Sequence, residues 1–515
     1  MIVIWIQLLS LVSTSTALWD NADKDHEIFN SSICMFADKT SMIDTFFHYT
    51  DTESKYQVFT APLGFGKTTN LKMLKRFVQI EIDEFGHKLD KTRTSSYKLF
   101  TNEKLAISNH PNTIEAHLAE YPVLYFDYSE VMEFSFPKTY RKICSKVHEL
   151  FKSYQWVYEI LRERYSNNSN MQDAQAEQFN GKLSLVQKMI NTSQFENDYI
   201  QKDCLCAMVE ILYEYFQHQV FVFIEYYDRY WFDGENENCR LWDMYTKTKF
   251  SMYQGVLYDL AYQLFQPKMS KYIKYVFATG THPIYLQNDN FTYNSFLGDH
   301  PFTKYYGFTT EEVTRILNPR AKAPITELRN LRISHNGYST KVGDLALFQP
   351  SSIINYFPQS RSSSSIEHSP EGWTLKASYE LKPYLLIDPP PLNGQWKVLK
   401  IESIREKVQN LVSEGNVTFQ LRFESSHKVK ENLLEGLKNE PQTQKVTSEL
   451  FFSMLFENGY LTYTEVPGCY RVPNQNRLNV LEHYLRIFVE RQQNDEPDEV
   501  LRSWREYMKQ NRLVR

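Results

Sequence analysis

The sequence predicts an α/β protein: a parallel sheet flanked by helices, followed by a mostly helical C-terminal region. Three observations predict it. Short runs of β-branched and aromatic residues alternate with stretches of helical period, the order that makes parallel strands joined by helical crossovers. The first of these runs ends in TAPLGFGKTTN (60–70), a glycine-bearing loop that opens into a helix. The chain has 515 residues, of which 42% are hydrophobic and 23% charged, enough for two or three domains and a sizeable core.

The elements follow in chain order. MIVIWIQLLSLVSTSTALWD has an apolar run from Ile2 to Val12 and then the small residues Ser15, Thr16 and Ala17. That is the layout of a secretory signal peptide over residues 1–17, although no Lys or Arg precedes the run. A buried N-terminal helix or strand is the alternative. Residues 18–304 carry the strand–helix alternation. FADKTSMIDTFF reads as a helix, KYQVFTAP as the first strand, and TTNLKMLKRFVQIEIDEFG as an amphipathic helix with Leu71, Leu74, Phe77 and Val78 on its apolar face and Gly86 as its stop. YPVLYFDYS (121–129) is a second strand. Residues 138–216 are mostly helical, broken by a polar loop near 166–182. QVFVFIEYYD and KYVFATGTHP are two more buried strands. Residues 305–357 form a helical extension, in which TTEEVTRIL starts with Thr309 and Glu312 at capping-box spacing. The Ser-rich stretch PQSRSSSSIEHSPEG (358–372) is a linker, and 373–515 reads as helices with a short β piece near 461–472.

Composition limits the function classes. A formal net charge of −5 argues against general capture of nucleic acid. No stretch reaches the roughly 20 apolar residues of a spanning helix. The six cysteines (Cys34, Cys144, Cys204, Cys206, Cys239, Cys469) allow up to three disulfides, or leave the CLC pair at 204–206 as buried thiols. Sequons at Asn30, Asn167, Asn191, Asn290 and Asn416 suit a secreted glycoprotein. The basic, apolar-dotted C-terminal segment EVLRSWREYMKQNRLVR suits a solvated helix face or an anionic surface.

The loop carries the chemistry. A phosphate loop turns successive backbone N–H groups and a helix N-terminus toward a phosphate, while Lys adds a point charge and Ser or Thr holds Mg²⁺. Gly66, Lys67 and Thr68 supply the second half of G-x4-G-K-[ST], and Ala61 stands where the first Gly would be. The nucleotide-binding set is Gly64, Phe65, Gly66, Lys67, Thr68 and Thr69; a plain strand–turn–helix connection is the alternative. A working triphosphatase also needs an acid at the end of a neighbouring strand. FVFIEYYD offers Glu225, which with Thr68 would organise magnesium, and Asp228, which serves as base only if the chain turns inward there. Otherwise Asp228 is a helix cap or a surface ion-pair partner. Tyr226 occupies the position of the usual base and has no carboxylate.

Several separated segments resemble one family, the AAA-ATPase-like proteins of the P-loop NTPase superfamily, many of which end in a PD-(D/E)XK nuclease domain. FADKTSMID resembles its entry motif and APLGFGKTTNLKML its phosphate loop, which in that family also lacks the first glycine. YPVLYFDYS, VFIEYYDRY, ATGTHPI, YYGFTTEEV, SHNGYS, LFQPSSIINYF, FFSMLFENGYLTY and YRVPN follow in family order, so the likeness spans roughly 30–475. It implies phosphate and magnesium roles for Gly66, Lys67 and Thr68, places Glu225 and Asp228 at the first and last acids of an Asp-Glu-Tyr-Asp signature, and makes Thr279 a sensor of the γ-phosphate. The loop arginines are replaced by Ala61, Leu63 and Gly64, the signature Glu is Tyr226, and too few residues follow YRVPN for a nuclease domain. SHNGYS and GYLTY are assigned no chemistry. The expectation is a secreted protein that binds ATP and magnesium with weak or absent hydrolysis. The alternatives are a secreted interaction or effector protein built on a nucleotide-free scaffold, and an active extracellular or ER-luminal ATPase. No protein partner or oligomeric state can be read from these residues.

Overall fold

A computed structural model describes residues 37–128, 136–166, 174–191, 203–228, 263–283, 291–317, 324–343, 345–353, 402–422, 441–479 and 481–482. The signal-peptide segment, the Ser-rich linker, the basic C-terminal segment, Cys34, Cys239 and three of the sequons (Asn30, Asn167, Asn290) lie outside them.

The chain order is α1 (Ser41–Thr52), β1 (Tyr56–Thr60), α2 (Lys67–Val78), α3 (Ser95–Phe100), α4 (Pro111–His117), β2 (Val123–Asp127), α5 (Phe136–Ser153), α6 (Gln155–Ser166), α7 (Ala174–Asn191), α8 (Cys204–Phe216), β3 (Val220–Glu225), β4 (Ile273–Gly280) and β5 (Phe291–Asn294). It continues with α9 (Thr310–Leu317), α10 (Pro324–His335), β6 (Tyr338–Ser339), β7 (Ala346–Leu347), α11 (Glu402–Ser413), β8 (Asn416–Thr418), α12 (Pro441–Glu457), β9 (Thr462–Tyr463) and β10 (Cys469–Arg471). Strands β1 to β5 form one parallel sheet in the order β2-β3-β4-β1-β5. This is the predicted α/β class.

The sheet is covered on both faces, so its strands read as continuous apolar runs whose alternate residues serve different cores. Phe221 and Phe223 of β3 and Tyr275 and Phe277 of β4 join Phe59 on the face covered by α1 and α2, through Phe46, Leu71, Leu74 and Phe77. Val220, Val222 and Ile224, with Val276 and Ala278, face the other way onto α5 to α8, through Val147, Phe151, Leu161, Val186 and Leu212. This parity decides where the polar strand ends point. Glu225 follows Phe221 and Phe223 in the two-residue repeat, and Thr279 follows Tyr275 and Phe277, so both share the face of α2.

The C-terminal segments do not stand apart. Val417, Phe419, Phe452, Phe456, Tyr460 and Tyr470 belong to the same buried cluster as Phe59, Phe65 and Phe277. Among them β8, β10 and β9 form a small antiparallel sheet.

Several sequence expectations need revision. The helix after the loop ends at Val78, not at Gly86: Gln79 is extended and bridges Tyr121, Ile80 N–H donates to the Tyr121 carbonyl, and Gly86 sits in a turn at φ +85°. The polar loop near 166–182 is shorter than expected, because Ala174–Asn191 is helical. Strand β5 was not foreseen, being four residues at the sheet edge. The capping box at α9 is present: Thr309 N–H donates to Glu312 Oε2 at 2.8 Å and Glu312 N–H to Thr309 Oγ1 at 3.3 Å.

No disulfide forms among the described residues. Cys204 and Cys206 are free thiols enclosed in the apolar packing of the first turn of α8. Burial pushes them up to about 12 and about 11, which keeps both protonated and poorly reactive. Asn191 and Asn416, the two described sequon residues, are exposed. No helix among the described residues is long and apolar enough to cross a membrane.

Candidate functional site

Thr60 ends β1, and the chain then curls before α2 begins. Gly64 at φ +82° and Gly66 at φ +89° supply two left-handed residues, a conformation that costs an L-residue about 1–2 kcal/mol. Gly66 is the N-cap of α2, and a side chain built there would meet nothing within 4 Å, so the space beside Gly66 is open. Phe65 points the other way and is fully buried against the rings of Phe296 and Tyr338, at 4.8 and 4.9 Å. It anchors the loop instead of lining it. Lys67, the first residue of α2, is 4% exposed. Its ammonium donates to the carbonyls of Ala61 at 2.6 Å and Pro62 at 3.1 Å and lies 5.8 Å over the Tyr226 ring. Thr69 is half-buried on the next position of the helix.

Thr68 faces the sheet, and its hydroxyl donates to Glu225 Oε1. Tyr125 Oη donates to Glu225 Oε2 at 2.6 Å. Burial raises the Glu225 carboxyl above its ordinary range, and these two hydrogen bonds oppose the shift. Hydroxyl and carboxylate so joined, in the first turn of a helix, are oxygen donors of the kind a hydrated magnesium takes. Among the described residues no group of three or more His, Cys, Asp or Glu could hold a metal alone. A cation here would draw its remaining ligands from water and phosphate.

Thr279 is fully buried and pairs in register with both Glu225 and Phe59. Its hydroxyl has no protein partner. Asp228 is not a surface ion-pair partner. After Glu225 the chain turns at Tyr226, φ +54°, and carries Asp228 inward to 2% exposure. Asp228 Oδ2 accepts the N–H groups of Thr281 and His282, each at 2.7 Å, and approaches His282 Nδ1 at 3.3 Å. Its other oxygen lies so close to Gly280 that a Cβ there would come within 2.5 Å. Asp228 is thus committed to holding the turn after β4.

What surrounds the loop comes from segments far along the chain. Gln349 Nε2 donates to the Leu63 carbonyl at 2.9 Å and Ser351 N–H to the Gly64 carbonyl at 3.2 Å. Arg477, buried over the Tyr460 ring, donates to Gln349 Oε1 at 3.2 Å and to Tyr338 Oη at 3.1 Å. Tyr338 in turn donates to the Gly459 carbonyl at 3.0 Å, and Gly459 rests on Pro62. SHNGYS, LFQPSS and ENGYLTY are therefore the outer wall of the loop. Their likeness to family motifs was the available signal.

The predicted AAA-ATPase family matches residues 24–288, more than half of the chain and the whole of the parallel sheet but β5. The chain belongs to that family. No curated protein matches it. In this AAA-ATPase-like chain the match ends before the outer wall, so Gln349, Glu457, Asn458 and Arg477 are read from geometry alone.

Glu457, at the end of α12, is 2% exposed. One oxygen faces Thr60 Oγ1 at 3.5 Å and the other has no partner. Burial, aided by the Asp228 charge, raises this carboxyl well above its ordinary value. The folded protein therefore keeps a proton that the unfolded chain has released, and stability falls as pH rises from about 4.5 toward the raised value. Glu457→Gln removes that loss. Its melting temperature should exceed the wild type's by a margin that grows from about pH 5 to about pH 8. A constant margin across that range would contradict the assignment.

Proposed function

We propose that this protein binds a magnesium nucleoside triphosphate, ATP in the first instance, at the loop of residues 61–69, with slow or no hydrolysis. Lys67 and the N–H groups of Gly64, Gly66, Lys67, Thr68 and Thr69 would hold the phosphates. Thr68 would hold magnesium, with Glu225 behind it through water, and Thr279 would face the terminal phosphate. The observation that carries the reading is the Thr68–Glu225 pair at the head of a helix whose first residue is Lys67. Weak turnover follows from Tyr226, which brings a ring where a carboxylate would polarise the attacking water, and from Asp228, whose hydrogen bonds occupy it elsewhere.

A second reading is a nucleotide-free scaffold for protein interaction. It is favoured by the Lys67 ammonium resting on the Ala61 and Pro62 carbonyls and by the wall fastened to Leu63 and Gly64. Secretion is part of the proposal, supported by the apolar run Ile2–Val12 before Ala17 and by exposed Asn191 and Asn416; an ER-luminal location is the alternative.

One preparation tests these together. The full chain, expressed in a secreting host, is recovered from the medium and assayed for equilibrium binding of a fluorescent ATP with and without EDTA, and for phosphate release. Binding that needs magnesium, with little phosphate release and a mature N-terminus at Leu18, is the expected result. Absence of binding leaves the scaffold, brisk phosphate release makes the protein an active ATPase, and an intact Met1 overturns secretion.

A further inference from the structure

Four buried polar atoms around the loop have no partner among the described residues: Thr279 Oγ1, Ser351 Oγ, Glu457 Oε1 and Asn458 Oδ1. An orphaned buried polar atom is costly enough that native interiors hold few, and a cluster of them beside the curl calls for a ligand. Their placement says which part of the ligand they meet. Thr60 pairs with Gly280 in the β1–β4 register, one residue beyond Thr279. Glu457 reaches over Thr60. Asn458 Nδ2 donates to the Met454 carbonyl at 2.9 Å and to His282 Nε2 at 3.1 Å, tying the end of α12 to the turn that Asp228 holds. The Glu457 carboxyl, the Thr279 hydroxyl and the Lys67 ammonium thus gather over the ends of β1 and β4. In a phosphate chain laid across the start of α2, that is the side of the terminal phosphate.

We propose that Glu457 is the residue that reads the terminal phosphate: its carboxyl donates a hydrogen bond to a γ-phosphate oxygen, so that the site prefers a nucleoside triphosphate to a diphosphate. The inference rests on the nucleotide reading above and adds a residue from outside the matched family region. The donor role follows from the surroundings. Among the described residues no cation is hydrogen-bonded to Glu457, its second oxygen meets only the Thr60 hydroxyl, and Asp228 is the charged neighbour that raises its carboxyl together with burial. A protonated carboxyl in that place can give its hydrogen to a phosphate, whereas an ionised one would add repulsion to repulsion.

The test is the ratio of affinities for two magnesium nucleotides, ADP and the ATP analogue with an NH bridge between its β- and γ-phosphates, measured by calorimetry on the full chain. Wild type should prefer the triphosphate analogue by roughly tenfold, the worth of one hydrogen bond to a charged group. Glu457→Met fills the same space without a donor and should lose the preference while binding ADP as the wild type does, which also shows that it is folded. Glu457→Gln keeps an N–H donor and should retain the preference. Equal affinities in the wild type, a preserved preference in the Met variant, or a loss in the Gln variant as large as in the Met variant each overturn the assignment. Wild type that binds neither nucleotide removes the nucleotide reading as well, whereas these other results leave it standing.

Discussion

Lys67→Ala should abolish most of the affinity for magnesium ATP, raising Kd by roughly 10- to 100-fold, the equivalent of the 1.5–3 kcal/mol typical of a hydrogen bond to a charged group. The ammonium is enclosed at 4% exposure, where screening by water is weak, and sits at the mouth of the curl formed by Gly64 and Gly66. Lys67→Arg should not rescue it. The buried space under Ala61 and Pro62 suits a compact point charge, and a longer side chain with a wide planar guanidinium does not fit it. Folding should survive, because the two carbonyls lose a donor but the buried faces of α2, through Leu71, Leu74 and Phe77, are untouched. Fluorescence titration beside a melting curve separates the two effects. Wild-type affinity in the Ala variant would remove this lysine from the site.

Gly337→Ala should be among the most damaging single substitutions in the described region, costing about 4 kcal/mol on urea unfolding. Gly337 lies at φ +103°, and a Cβ there would come within 1.9 Å of the Pro473 carbonyl oxygen. That oxygen is backbone, fixed by a turn whose neighbours are tied across: Asn474 Nδ2 donates to the Asn336 carbonyl at 3.0 Å and Arg471 Nη2 to the Gly337 carbonyl at 3.1 Å. The strain cannot be relieved by rotating a side chain. Gly343→Ala is the control, since that residue also has positive φ, +77°, but open space around it. It should cost only about 1 kcal/mol for the left-handed backbone. Similar losses at the two glycines would show that conformation, not the carbonyl contact, sets the effect.

The parallel sheet was legible because its strands are covered on both faces, which forces continuous apolar runs such as VFVFIE and makes them visible without tertiary information. The boundary of α2 was misread for a physical reason. QIEIDEFG alternates apolar and charged residues in a way that continues the amphipathic look of the helix, while what ends it is a bridge from Gln79 to Tyr121 some 40 residues on. The loop residues Gly64 to Thr69 were legible because their spacing is local. Within them Phe65 was grouped with the binding residues, yet its side chain is an anchor among Phe296 and Tyr338, and its N–H donates to the Pro62 carbonyl at 3.4 Å. Glu457 and Gln349 were not legible as site residues at all. They reach the loop from 397 and 286 positions away, and no pattern in a one-dimensional string encodes such a return. Asp228 shows the opposite limit: its acid was noticed, but only the inward turn at Tyr226 reveals that one of its oxygens already accepts two backbone N–H groups.

The outer wall of the loop has a consequence for biosynthesis. A ribosome releases the five sheet strands long before it reaches Gln349, Gly459 and Arg477, so a nascent chain with its sheet assembled still presents Pro62, Leu63 and Gly64 bare to solvent. The mouth is finished late, when the segments that carry Gln349, Gly459 and Arg477 fold back. A fragment halted near the end of β5 would own every residue of the familiar loop signature and lack the masonry that holds it in shape.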